Sequence, residues 1–253
     1  MAEQKGVWSA VAAAVIGASL VACTVVLTRA AVRIKSSGDT IRVTGSARKQ
    51  IRSDFIIWKG EIASVAPDVG AAYRSLKSGM AKTTQYLISK GLTKEEIIQG
   101  AVQTRTLYAP TPRGQQMMPE SNIYRKAAGY ELSQQVEVRS KNVALVDDLS
   151  RKVTELLSAG IVFNSEAPAY IYTGLGDLKV TMLAEAAKDA RNRAEQIAKN
   201  SGCRLGPVRH AGMSPLRITP AYAVVEVDAM GSNDTTTIDK DIVAIVSVAY
   251  AVR

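Results

Sequence analysis

An α+β fold with antiparallel or mixed sheets is predicted for residues 40–253, and three patterns predict it. Segments of apolar–polar alternation recur in adjacent pairs, as hairpins require. Two long segments, 67–90 and 177–200, instead repeat apolar residues at three- and four-residue steps, the period of a helix with one buried side. The series strand, long helix, strand, loop, strand then occurs twice, over about 40–140 and about 160–253, which reads as an internal duplication.

Residues 40–50 and 54–65 form the first two strands. Ile41 and Val43 alternate with Arg42 and Thr44, and DFIIWKGEIASV is rich in β-formers. Pro67 and Asp68 open a helix to about Lys90, with Val69, Ala72, Leu76, Met80, Thr83 and Leu87 as its stripe and Gly91 as its stop. A strand over 97–108 precedes a segment, 109–126, whose Pro110, Pro112, Gly114, Pro119 and Asn122 predict a long exposed loop. Residues 129–139 return as a strand through Tyr130, Leu132, Gln134, Val136 and Val138. A shorter helix is expected over 143–158, with Val146, Leu149, Val153, Leu156 and Leu157 inward, and a strand over 161–172.

The longest helix, 177–200, carries a narrow stripe of Val180, Leu183, Ala187, Ala190, Ala194 and Ile197, which implies close packing. Its other side pairs Asp189 with Arg193, Arg191 with Glu195, and Glu195 with Lys199 at four-residue spacing. Gly202 ends it. A short strand begins at Val208, a loop rich in Pro, Gly, Ser and Asn follows, and 241–252 close the fold as a strand.

Ahead of this domain stands an uncharged run, VWSAVAAAVIGASLVACTVVLT, at residues 7–28. A helix of that length reaches about 33 Å, enough for a hydrocarbon core of roughly 30 Å. A retained transmembrane helix is expected there, so residues 1–35 form an anchor with its flank and 36–253 the presented domain. The run continues apolar beyond any cleavage point, against an ordinary signal peptide. Leu20-Val21-Ala22-Cys23 also fits a lipoprotein signal with Cys23 as lipid acceptor, which stays open as an alternative. Ala10, Ala14, Ala18 and Ala22 recur every four residues, with Gly17 on an adjoining stripe, a spacing that lets two helices pack closely in lipid. Lys5 precedes the run, while Arg29, Arg33 and Lys35 follow it. Taken alone, the positive-inside rule would keep the large domain in the cytoplasm.

Net charge is +9 with a pI near 9.6, yet the basic residues are scattered among acidic neighbours and aromatics are only 5%. That excludes an obvious base-stacking platform and points to no nucleic-acid partner, but to a mildly basic surface facing anionic lipid headgroups. With Cys23 in the anchor, Cys203 is the sole thiol of the domain and closes no disulfide within it. Its simplest role is a small buried hydrophobe, with a redox-reactive thiol as the sharper alternative.

Catalytic patterns are missing. His210 is the only histidine and no G-x-S-x-G serine accompanies it. HExxH and CxxC are absent, so no metal site is expected. Gly174-Leu175-Gly176 has Lys179 where a dinucleotide loop needs its third glycine. Glu185 and Asp189 lie one turn apart among Lys188, Arg191 and Arg193, which reads as a solvated charged face. Trp58 reads as a core or sheet-face anchor. No enzyme activity and no cofactor are expected, and the rival is a ligand-binding or enzymatic module using a cleft between the two halves.

The residues IRVTGSA at 41–47, Asp54, Trp58 and GYELSQ at 129–134 resemble the bacterial and archaeal SIMPL-domain proteins. So do DLKVTMLAEAAKDAR at 177–191, NSGCRLG at 200–206 and ITP at 218–220. The resemblance covers roughly residues 40–253. It implies an exported, membrane-tethered or periplasmic protein that assembles into large ring- or cage-like homo-oligomers, with links to oxidative and envelope stress. It carries over no catalytic residues. Its envelope location outweighs the few charges beside the anchor, so the domain is expected outside the cytoplasm. The partners expected are further copies of this chain and the bilayer. Met117, Met118 and Tyr124, in the 109–126 loop, are the expected oligomer or partner contacts.

Overall fold

The computed structural model describes residues 17, 19–21, 23–28, 39–109, 127–222 and 233–252. In chain order the elements are β1 (Thr40–Arg52), β2 (Phe55–Ala66), α1 (Val69–Ser89), a 3-10 turn (Lys94–Glu96), β3 (Ile97–Tyr108) and β4 (Ala127–Ser140). Then come α2 (Val143–Lys152), which continues as a 3-10 helix (Val153–Ala159), β5 (Phe163–Ser165), β6 (Ala169–Ile171) and α3 (Leu175–Asn200). β7 (Leu205–Met213), β8 (Arg217–Pro220) and β9 (Asp239–Val252) complete it. The fold is α+β with antiparallel sheets.

Two compact units share the chain, and neither is a sequence half. The first holds Met1–Arg48, Lys179–Leu216 and Val243–Arg253; the second holds Lys49–Leu178 and Arg217–Ile242. β1, α3 and β9 each contribute residues to both.

The second unit is built on a sheet of order β3-β4-β2-β5, with β6 also beside β2. β2 and β4 pair antiparallel from Ile56↔Ser140 to Ala66↔Tyr130. Pleating sends Ile56, Trp58 and Ile62, with Leu132, Val136 and Val138, to one face. There they meet Ala72, Leu76, Met80 and Leu87 of α1 and Val146 and Leu149 of α2. The Asp68 carboxylate caps α1 by accepting from Ala71 N at 2.9 Å, and Asn142 Oδ1 caps α2 by accepting from Leu145 N at 3.2 Å. Trp58 is buried, donates from Nε1 to Ser165 Oγ at 3.0 Å, and meets Phe163 with ring centroids 5.6 Å apart and planes tilted by 44°. The Phe163 ring closes on Gly60, where a Cβ would sit 2.1 Å from its Cε1 and Cζ.

One core position is at odds with its surroundings. Thr83 is fully buried in α1, yet its hydroxyl has no hydrogen-bond partner. An unmade buried hydroxyl bond costs about 1–3 kcal/mol. Thr83→Val keeps the shape and removes the orphan, so it is expected to raise stability by about 1 kcal/mol in urea titration.

The first unit carries β1, β9 and β7 side by side, in that order. β7 meets β9 antiparallel, from Leu205↔Val252 to Met213↔Val246, with two irregularities near Val208. Along β1, Val43, Gly45 and Ala47 are buried while Arg42, Thr44, Ser46 and Arg48 are exposed. The buried face receives α3.

Four of the sequence readings change. The inward stripe of α3 is not Val180, Leu183, Ala187 and Ile197; Val180 is 70% and Ile197 44% exposed. In the first unit the buried row is Met182, Ala186, Ala190, Ala194 and Ala198, a strict four-residue ridge inclined to the helix axis. The strand expected over 161–172 is broken into β5 and β6, with the N–H-lacking Pro168 between them. The helix expected to 158 tightens to 3-10 geometry from Val153. β8 lies inside a stretch read as loop, where it pairs with β9.

Of the N-terminal run, Gly17 and residues 19–21 and 23–28 are helical and exposed. Thr24 Oγ1 donates to Leu20 O at 2.7 Å and Thr28 Oγ1 to Thr24 O at 2.6 Å. Among the described residues no helix is long and apolar enough to cross a membrane.

Candidate functional site

The feature with the clearest capacity to act is β3, the last strand of the second unit's sheet. Among the described residues it pairs with β4 alone. Its register slips between Gln99 and Val102, a bulge that Gln134 spans by donating from Nε2 to Gly100 O at 2.8 Å. From Ile98 to Arg105 every residue is exposed. Arg105 is the one charged side chain of the strand, and Glu131 on β4 neutralises it at 2.7 Å.

Natural sheet edges are commonly blunted by lysines, prolines or shortness. Across its twelve residues β3 has neither Lys nor Pro, and among the described residues its blunting devices are two register shifts, after Gln99 and after Leu107. Beside it, a groove of about 310 Å³ separates β3 from α1. Its apolar lining includes Tyr73, Leu76, Met80 and Val102, and its polar lining Lys77 and Gln99. Gln99 Nε2 reaches Thr84 Oγ1 at 3.1 Å across one end. Two further grooves, of about 440 and 490 Å³, lie beside Tyr86 and Glu155 and over the polar face at Glu61 and Glu131.

The family model for SIMPL, described as a protein of unknown function (DUF541), matches residues 41–250. The chain belongs to the SIMPL family. No curated protein matches it.

The signature residues of this SIMPL chain prove to be packing and positioning residues. Gly45 of β1 admits the backbone of α3: a Cβ there would stand 2.2 Å from Ala186 O and 2.3 Å from Ala190 N. The next amide, Ser46 N, donates to Asp189 Oδ2 at 2.9 Å, and Arg193 holds the same oxygen at 2.9 Å. The Ser46 amide and then Arg193 draw the Asp189 carboxyl below the ordinary range. Glu185, the other member of the candidate carboxylate pair, is exposed. In the second unit Asp54 accepts from Thr173 N at 2.7 Å and Thr173 Oγ1 at 2.8 Å, tying the chain entering β2 to the chain leaving β6.

Other titratable clusters of the SIMPL domain follow the same logic. Tyr170 donates to Asp147 Oδ1 at 2.6 Å while Arg151 grips both oxygens of Asp147 at 2.8 Å. Burial, then Asp147, pushes Tyr170 up to about 12; Arg151 pulls Asp147 down. Glu155 accepts from Tyr86 at 3.0 Å and Lys90 at 2.9 Å, with Tyr86 raised to about 12 by burial and then Glu155. Among the described residues every resolved shift moves its group away from neutrality, the reverse of what a general acid or base requires. Among the described residues no group of three His, Cys, Asp or Glu is placed to hold a metal.

Ala10, Ala14, Ala18 and Ala22 lie outside the described residues, as do Met117, Met118 and Tyr124. Gly17 is helical, with open space where a Cβ would project. Cys23 is an exposed free thiol; Cys203 is half-buried, its Sγ 3.5 Å from Ala198 O. His210 is exposed on β7. The β3 edge and the Tyr73–Met80 groove were not singled out by sequence reading. The signal present was the near absence of charge over residues 97–108.

Proposed function

We propose that this SIMPL protein is a non-enzymatic, membrane-anchored scaffold of the cell envelope that assembles with copies of itself into a closed ring or cage. Its domain lies outside the cytoplasm and, as the family resemblance implies, serves the envelope under oxidative stress. The observation that carries assembly is the long, exposed and nearly uncharged edge of β3. Such an edge is a template for a strand of a second copy, and contacts that close on themselves give a ring. A different strand of a second copy that pairs here meets no unmatched charge, because Arg105 already has Glu131.

Two features support the anchor. Leu20, Val21, Val26 and Leu27 are apolar, helical and each more than 60% exposed. The hydroxyls of Thr24 and Thr28 return to carbonyls of their own helix, which suits a solvent that offers no partners. Ala10, Ala14, Gly17, Ala18 and Ala22 are the surface by which neighbouring anchors pack. Attachment of lipid at Cys23 is the alternative tether.

The test places charge on the edge. Val102→Lys with Thr104→Lys is expected to cut the mass of the detergent-extracted particle by at least about half, with monomer stability within about 0.5 kcal/mol of the parent. An unchanged particle mass would remove β3 as the contact.

A further inference from the structure

The positive charge of this chain is unevenly divided. Among the described residues the second unit holds fifteen lysines and arginines against fifteen aspartates and glutamates, a balance of zero. The first unit holds nine against four. Two of those four carboxylates are already engaged, Asp189 by Arg193 and Glu195 by Arg191. Arg42, Lys179, Lys188, Lys199, Arg204 and Arg209 are exposed and enter no ion pair with any described residue.

We propose that the first unit, through its surplus of basic residues, is held against anionic lipid headgroups. The inference relies on the tethered reading, because the tether decides between anions. From Thr28 to Thr40, where β1 begins, the chain can span at most about 40 Å. β1 is the first element of the basic unit, so the surplus charge is held near the bilayer the run enters. Attraction then operates once the unit comes within about 8 Å, the screening length at physiological salt. Each basic residue near an anionic leaflet strengthens its hold about fivefold. A nucleic acid would be the other polyanion, but aromatics are only 5% of the chain, which leaves little for bases to stack upon.

The test uses the full chain in vesicles of phosphatidylcholine, with and without about 30% phosphatidylglycerol, and flotation first reports insertion. In a Cys23→Ser, Cys203→Ser background, a fluorophore at Ser201→Cys is read against a headgroup quencher. Quenching is expected to be at least about threefold deeper in the anionic vesicles at about 50 mM salt, and to vanish near 500 mM as screening shortens. Lys188→Glu with Lys199→Glu should abolish the difference, and Lys82→Glu with Lys94→Glu, in the neutral unit, should leave it intact. Equal quenching in both vesicles, or indifference to the first charge reversal, overturns the proposal. So does duplex DNA competing the anionic vesicles away. A chain that fails to float with neutral vesicles refutes the tether alone; flotation confined to anionic vesicles then still supports the pull of the basic unit, and its absence overturns both.

Discussion

Gly45→Ala is expected to destabilise the protein by about 4 kcal/mol or more, lowering its melting temperature by roughly 10 °C. The added methyl would meet not a yielding side chain but the α3 backbone, 2.2 Å from Ala186 O and 2.3 Å from Ala190 N. Relief requires lifting α3 from β1. That would break the Ser46–Asp189 bond and open the row from Met182 to Ala198 to water. Thr44→Ala, one residue away and exposed, should fall within about 0.5 kcal/mol of the parent. Hydrogen exchange locates the effect, with faster exchange expected in α3 and the neighbouring strands.

Asp234→Ala should cost about 3–5 kcal/mol, because it strands a buried cation. Lys240 is almost fully buried and its ammonium donates to Asp234 O at 2.6 Å and Asp234 Oδ2 at 3.1 Å. Asp234 Oδ1 also accepts from Thr236 N at 2.8 Å and Thr236 Oγ1 at 2.7 Å, and Thr237 Oγ1 donates to Oδ2. Burial by itself would raise this carboxyl. The hydroxyls of Thr237 and Thr236, the Thr236 amide and Lys240 outweigh it and hold the group far below the ordinary aspartate range. A depressed carboxyl contributes stability that is complete above its unfolded pKa of about 3.9 and is lost as pH falls toward the folded value. Urea titrations between about pH 5 and pH 2 should therefore show a downward slope in the parent that is shallower in Asp234→Asn. Equal slopes would deny Asp234 this role.

Much of the fold was legible because local patterns and tertiary demands agree. Alternation located β1 and β4 and runs rich in β-formers located β2, β3 and β9, each within a few residues, and Pro67-Asp68 and Gly91 bracket α1. α3 shows where agreement ended. Its most hydrophobic side chains, Val180 and Ile197, face solvent, and the sheet took the alanines instead. At Gly45 the two backbones come so close that only small residues fit beneath. That demand is set by a strand more than 130 positions away, outside any helical window.

The candidate site was hidden for a related reason. β3 reads as an ordinary strand; its place at the sheet's end follows from β4 pairing with β2, which depends on residues far apart in sequence. The contrast in charge was equally invisible. Each unit is assembled from separate stretches, so a window along the chain averages a basic body with a neutral one. By contrast, Gly45, Asp54, Trp58 and Asp189 were visible as signature residues, and the structure supplies their reasons in packing and hydrogen bonding.

The most direct measurement is the mass of the full-length protein extracted from membranes into mild detergent, read by light scattering or mass photometry. A narrow distribution at a high multiple of the 27.0 kDa chain is expected. A single 27.0 kDa chain that stays dissolved without detergent would contradict both assembly and anchoring.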